Sequence, residues 1–202
     1  MLGEHEQAKV LQIHCDNLTS NVSTILSLIS EINITKTAHS MNNIYVNFIE
    51  SINTDQNERF WKKPHFNFFF GCPSGNDLVN VNYRKTLDLK KMWLTIGSQK
   101  YPDLPYTSSN MAYYYLNDAI PSNAIESADS YISSQFITLF NLERCNYMKN
   151  MMGCGLDTFN KAMTLSLEFA LNDTKPQFVH TVLENEMIIE ISNTGITILE
   201  YN

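Results

Sequence analysis

Short runs of alternating apolar and polar residues recur along the chain, and most of them read as strands. The clearest is Met163 to Phe169, where Met163, Leu165, Leu167 and Phe169 fall on one face and Thr164, Ser166 and Glu168 on the other. Val10–Cys15, Ile44–Ile49, His65–Phe70, Lys91–Ile96, Phe136–Phe140, Phe178–Leu183, Met187–Ile191 and Ile196–Leu199 are likewise rich in β-branched or aromatic residues and bounded by turn formers. Asn185-Glu186 and Asn193-Thr194-Gly195 read as hairpin connections between the last three of these runs. Two stretches read as helix instead. From Asn21 to Ile32, residues Val22, Ile25, Leu26, Ile29 and Ile32 stand at helical spacing behind a Ser20 or Asn21 cap. From Ser108 to Ala119, residues Met111, Tyr114 and Tyr115 share one side, and Pro121 closes the segment.

Many short strands, two brief helices and no βαβ alternation predict an all-β fold: an antiparallel β-sandwich, a single jelly roll with the helices in connecting loops. No internal repeat or Pro/Gly-rich linker divides the sequence, so the expected organisation is a flexible leader over residues 1–8 and one domain over residues 9–202. A chain of 202 residues is long enough for a real core. Charged residues make up only 17% against a usual figure of about 25%, which belongs to a packed domain and not to a disordered one.

A formal charge of −7 presents a repulsive average field to phosphate backbones, so no specific nucleic-acid partner is expected. The opening residues lack the basic-then-apolar pattern of a secretory signal, and the apolar runs fall far short of the roughly 20 residues needed to span a bilayer. The chain is therefore expected to be soluble and inside a cell when made, with Cys15, Cys72, Cys145 and Cys154 as buried thiols and not a disulfide framework.

The inventory of reactive groups is thin. Gly71-Cys72-Pro73-Ser74-Gly75 follows a strand but lacks the lysine of a phosphate-binding loop, and Ser74 is not framed as a hydrolase nucleophile would be. His14-Cys15 and His180 with Glu184 or Glu186 supply metal-ligand types without the spacing that puts two ligands on one face, so neither metal nor cofactor is expected. Lys62-Lys63 and Lys90-Lys91 read as solvated strand ends. A thiol-dependent enzyme would require one of the four cysteines beside an imidazole.

Aromatic connecting sequence is what stands out: Arg59 to Pro64, Tyr101-Pro-Asp-Leu-Pro-Tyr106 and Tyr113-Tyr114-Tyr115. Consecutive aromatics cannot all face one core, and aromatic residues are enriched where subunits meet. Trp61, Tyr101, Tyr106, Tyr113 and Tyr114 are the candidate subunit contacts. In the alternative reading, a carbohydrate- or ligand-binding sandwich, the same rings would stack on sugar faces.

Three stretches together carry a family resemblance. Phe60 to Gly71, Leu89 to Tyr106 and Phe178 to Tyr201, with the opening Val10 to Asp16, resemble in order and spacing the C-terminal part of hexon-like double jelly-roll major capsid proteins, above all those of Polinton/Maverick elements and adintoviruses. The resemblance implies a non-enzymatic structural protein of the virion. It implies partners that are copies of itself or a companion jelly-roll domain, with trimeric capsomers tiling an icosahedral shell. At this length the chain holds one roll where the family has two.

Overall fold

The computed structural model describes residues 10–49, 89–119, 137–143, 155–169, 178–192 and 194–200. Its strands are β1 (Leu11–Thr24), β2 (Ile29–Ile34), β3 (Met41–Ile49), β4 (Leu89–Ile96), β5 (Gln99–Tyr106), β6 (Thr138–Asn141), β7 (Met163–Phe169), β8 (Phe178–Ser192) and β9 (Gly195–Glu200), with one helix among the described residues, α1 (Ser109–Ala119).

The pairing is that of one long hairpin folded on itself: β1 with β8, β2 with β7, β3 with β6 and β4 with β5, all antiparallel. Two further pairings, β8 with β3 and β7 with β4, roll this ribbon into two sheets of order β1-β8-β3-β6 and β2-β7-β4-β5. That is the jelly-roll topology the strand pattern predicts. β9 adds to β8 as a further strand of the first sheet.

The core lies between the sheets. Ile44, Val46, Phe48, Leu139, Val179 and Leu183 face Ile32, Ile34, Met92, Leu94, Ile96, Met163, Leu165 and Leu167 in one buried cluster. Phe48 and Phe169 meet edge to face at 5.8 Å across the gap. Each fully buried Leu or Ile contributes roughly 1.5–3 kcal/mol relative to exposure, which is what drives the sheets together.

Two helix-or-turn expectations are corrected. Asn21–Ile32 is not a helix: β1 runs on to Thr24 and β2 begins at Ile29. The apolar residues at helical spacing share no buried face, since Leu26 and Ile29 are exposed, while Ser30, Ile32 and Ile34 alternate inward with the period of a strand. Nor do Asn185 and Glu186 turn. They lie inside β8, because Asn185 is matched by Asn17 on one side and Met41 on the other, and a two-sided ladder leaves no room for a hairpin. Ser192 pairs with Gly195, so β8 and β9 do form the predicted hairpin, with Asn193 itself outside the described residues.

The second predicted helix forms. Ser108 caps α1, its Oγ accepting a hydrogen bond from the Met111 N–H at 3.2 Å. Its buried face is Ala112 and Leu116, one turn apart, and not the expected Met111, Tyr114 and Tyr115 side. No described helix is long and apolar enough to cross a membrane.

A clamp closes one end of the roll. Met41 and Leu156 exchange backbone hydrogen bonds at 3.0 and 2.9 Å, and Thr158 Oγ1 both accepts from Ala38 N–H and donates to Ala38 C=O at 2.9 Å. Gly155 N–H donates to Ser40 Oγ, and Glu186 N–H of β8 donates to Ser40 C=O. Gly155 is required there: a Cβ would sit 2.5 Å from Asn42 Oδ1 and 2.7 Å from Met41 N.

Candidate contact surfaces

The structure places the aromatic candidates in different environments. Tyr106, at the end of β5, is only 4% exposed; its hydroxyl donates to Leu139 C=O at 2.7 Å, and the rings of Tyr115 and Phe140 lie against it at 5.4 and 5.3 Å. Burial pushes its phenol well above the ordinary tyrosine range, with Tyr115 adding to the shift. Tyr101 is half-buried against the core and donates to Gln99 Oε1. Tyr113 is also half-buried. Tyr114 alone of the described candidates stands out, 68% exposed on α1 and edge-on to Tyr115. Trp61, Lys62-Lys63 and the Gly71–Gly75 stretch lie outside the described residues.

Tyr101, Tyr106 and Tyr115 line a cavity of about 200 Å³ with Asp118 and Glu143. It is smaller than the roughly 300–1,000 Å³ of small-molecule sites. The Tyr106 ring is already covered by its neighbours and offers no free face for a sugar to stack on.

A second surface was not singled out from the sequence. β8 is 15 residues long, and its two halves have different surroundings. Phe178 to Asn185 runs between β1 and β3, whereas Met187 to Ser192 runs between β1 and β9. In the first half the odd-numbered residues Val179, Thr181, Leu183 and Asn185 are buried under the second sheet. In the second half the same face continues as Met187, Ile189 and Ile191, which are half-buried and lie outside the buried core. Directly opposed residues share a face, so Leu11, Ile13 and Cys15 of β1 and Ile196 and Ile198 of β9 extend it sideways. Leu11 is 58% exposed, Ile13 42%, Ile196 70% and Ile198 61%. The register also sets Glu200 opposite Met187 at the end of this row. The arm therefore presents the inner, apolar side of a sheet to solvent.

The opposite face of β1 and β8 is acidic. Asp16 stands directly across from Glu186. Partial burial raises the Asp16 carboxyl above the ordinary carboxylate range, and Glu184 and Glu186 push it further. Glu184 accepts hydrogen bonds from Tyr45 Oη at 2.8 Å and Asn43 Nδ2 at 3.0 Å. Burial and this carboxylate neighbour raise the Tyr45 phenol in turn. Lys90 and Lys91 at the start of β4 bracket Glu168 at 3.9 and 3.6 Å.

The candidate reactive residues are held apart by the same alternation. Cys15 opposes Met187 on the apolar face, while His14 and His180 point to the other face. Burial alone lowers the His180 imidazole below its ordinary range. His39 Nδ1 meets Asp157 Oδ1 at 3.1 Å under the ring of Phe159, and the Phe159 N–H, Lys161 and His39 hold Asp157 below the usual carboxylate range. Among the described residues no group of three or more His, Cys, Asp or Glu side chains converges as a metal site would require. Cys72, Cys145 and Cys154 lie outside the described residues.

Known proteins resemble this chain in shape and not in sequence. No family model and no curated protein matches it. The PBCV-1 virus capsid, in a quasi-atomic model, superposes with a TM-score of 0.58 at 10% identity, over 96% of this chain and 52% of that one. PBCV-1 VP54, fitted into a reconstruction of the virophage Sputnik, gives 0.58 at 9% identity, over 98% and 52%. A structure of the Sputnik virophage gives 0.52 at 11% identity, over 95% and 39%. These likenesses show a shared fold, and this chain spans about half the length of the first two.

Proposed function

We propose that this chain is a capsid-type structural protein that works by self-association and performs no chemistry. The observation that carries the reading is the jelly-roll pairing, which is matched over nearly the whole chain by solved chains from the PBCV-1 capsid and the Sputnik virophage. The separation of Cys15 from the histidines of β1 and β8 supports it, as does an exposed apolar face of the kind subunits bury.

In this reading the protein belongs to the virion, its partners are copies of itself or a companion jelly roll, and trimeric capsomers are the unit of assembly. The affinity to Polinton/Maverick and adintovirus capsid proteins remains the finer part of the same proposal. The rings of Tyr101, Tyr113 and Tyr114 are then contact residues, with Tyr114 the most available. A carbohydrate-binding sandwich is less well supported, because the tyrosine-lined cavity is small and the Tyr106 ring is covered.

Sedimentation velocity and negative-stain microscopy of the purified chain test the proposal, alone and mixed with a companion jelly roll. Trimers or shell fragments that grow with concentration are the expected result. A strict monomer under all these conditions, combined with saturable binding to a glycan array, would remove the capsid reading in favour of the other.

A further inference from the structure

We propose that the cavity between β5, β6 and the C-terminal end of α1 binds an alkylammonium group, its aliphatic stem against the tyrosine rings and its charge met by Asp118 and Glu143. The inference goes beyond the capsid reading and stands whether or not copies of the chain assemble.

The sequence puts the unfavourable charge at this end of the helix. The last carbonyls of a helix carry partial negative charge, so a carboxylate there is disfavoured and a lysine or arginine is preferred. α1 ends Leu116-Asn117-Asp118-Ala119, with an acid and no basic residue in its last turn. Asp118 and Tyr115 of this helix line the cavity, and Glu143, just beyond β6, adds a second carboxylate to it. No described lysine, arginine or histidine lines it. Local rules of this kind are broken mainly at functional sites, and here the cation that the helix end lacks is supplied from outside.

The rest of the lining decides the kind of cation. The Tyr101 and Tyr106 hydroxyls already donate, to Gln99 Oε1 at 2.8 Å and Leu139 C=O at 2.7 Å, and Pro102 has no N–H. An anion therefore finds few donors here, whereas an ammonium head brings three of its own to the carboxylates. Among the described residues no three His, Cys, Asp or Glu side chains converge as a metal would require, and a bare ion would leave the aromatic walls without a partner. Those walls suit a hydrocarbon stem, and Tyr115, 39% exposed, has ring surface to offer a cation. At about 200 Å³ the cavity is too small for a drug-sized ligand and suits one short unbranched chain.

Such a head arrives either on a free amine or on a lysine of another copy. n-Butylammonium has the shared chemistry and serves as the probe, with 1-butanol as its neutral match. Saturation-transfer difference NMR of the full chain, titrated to about 30 mM probe, should show saturable binding with a Kd on the order of a few mM that weakens as salt rises. 1-Butanol should bind about 10-fold more weakly or not at all. The double variant D118N/E143Q keeps both side-chain shapes and should lose about 10-fold or more in affinity for n-butylammonium. Asp118→Asn alone should melt no lower than wild type, because it removes a carboxylate from the negative end of α1, so weakened binding in that variant is not a loss of fold.

Equal dissociation constants for wild type and D118N/E143Q overturn the proposal. So does 1-butanol binding as tightly as n-butylammonium, or the absence of saturable binding by the amine. Once binding is established, sedimentation velocity separates the two sources. Oligomers that fall apart at saturating n-butylammonium assign the site to a lysine of another copy, and oligomers that persist assign it to a free amine. A chain that binds the probe but never forms trimers or shells keeps this site and loses the capsid reading.

Discussion

The two halves of β8 are built from similar residues and end in opposite circumstances. From Phe178 to Asn185 the strand is paired on both sides and roofed by a second sheet, so Val179 and Leu183 are sealed in the core. From Met187 to Ser192 it is again paired on both sides, but its isoleucines lie outside the buried core and remain partly open. Backbone hydrogen bonding is satisfied equally in both halves, so the difference is one of side-chain burial alone. A sheet can be complete as a ladder and incomplete as a layer, and only the second deficit calls for a partner. The clamp of Ser40, Met41 and Gly155 marks the boundary, since Glu186 N–H is donated to Ser40 C=O where the buried half ends.

The largest contrast should come from paired truncations in body and arm. Leu165→Ala, at a fully buried position facing the first sheet, should cost about 2–5 kcal/mol of monomer stability in urea unfolding. Gly155→Ala should be next, at about 1–3 kcal/mol, because the new methyl collides with Asn42 and the Met41 backbone. If β8 and β9 lose hydrogen-exchange protection in that variant while the second sheet keeps its own, the clamp is what ties the arm to the body.

Ile198→Ala in the arm should change monomer stability by less than about 0.5 kcal/mol at a concentration where the chain is monomeric. A loss comparable to that of Leu165→Ala would mean that the arm is buried within the single chain, and the contrast would fail.

The smallest effect is electrostatic. Asp16 has a raised pKa, so the folded state holds its proton more tightly than the unfolded chain does, and stability from this group is present in acid and lost as pH rises through its folded pKa. Asp16→Asn should therefore stabilise the fold by a few tenths of a kcal/mol at neutral pH, where the carboxylate opposes Glu186. The gain should vanish below the ordinary carboxylate range. Thermal melts at neutral and acid pH measure it.

Where one face of a strand is buried and the other wet, the pattern was readable in the sequence. Met163–Phe169 has observed bounds that match the alternation, although its polar face is itself largely covered, with Ser166 buried between β2 and β4. Lys91–Ile96 and the turn before β9 were readable for the same reason. Val22, Ile25, Leu26, Ile29 and Ile32 misled because Val22 and Ile29 sit on exposed strand positions and Leu26 in the exposed connection between them, so the apolar spacing reports no buried face. Asn185-Glu186 carries turn-forming chemistry, yet Asn185 is 1% exposed and its amide is used inside the sheet, accepting from Asn17 and donating to the Glu186 carbonyl. For the contact surface, consecutive tyrosines were a signal of surplus aromatics, but which of them is covered depends on α1 packing over β6 and β5. The isoleucines of the arm gave no such signal, since an apolar alternation looks the same whether or not a second layer lies over it.

The order of residues alone thus determined the strand-rich class and the antiparallel sandwich, because alternation, turn formers and composition act within a few residues of each other. Only the tertiary structure decided which strands pair, that β8 is one strand, and which part of its inner face is sealed in the core. Those are matters of register and of the relative lengths of elements far apart in the chain, and no local pattern encodes where one layer stops and the other continues.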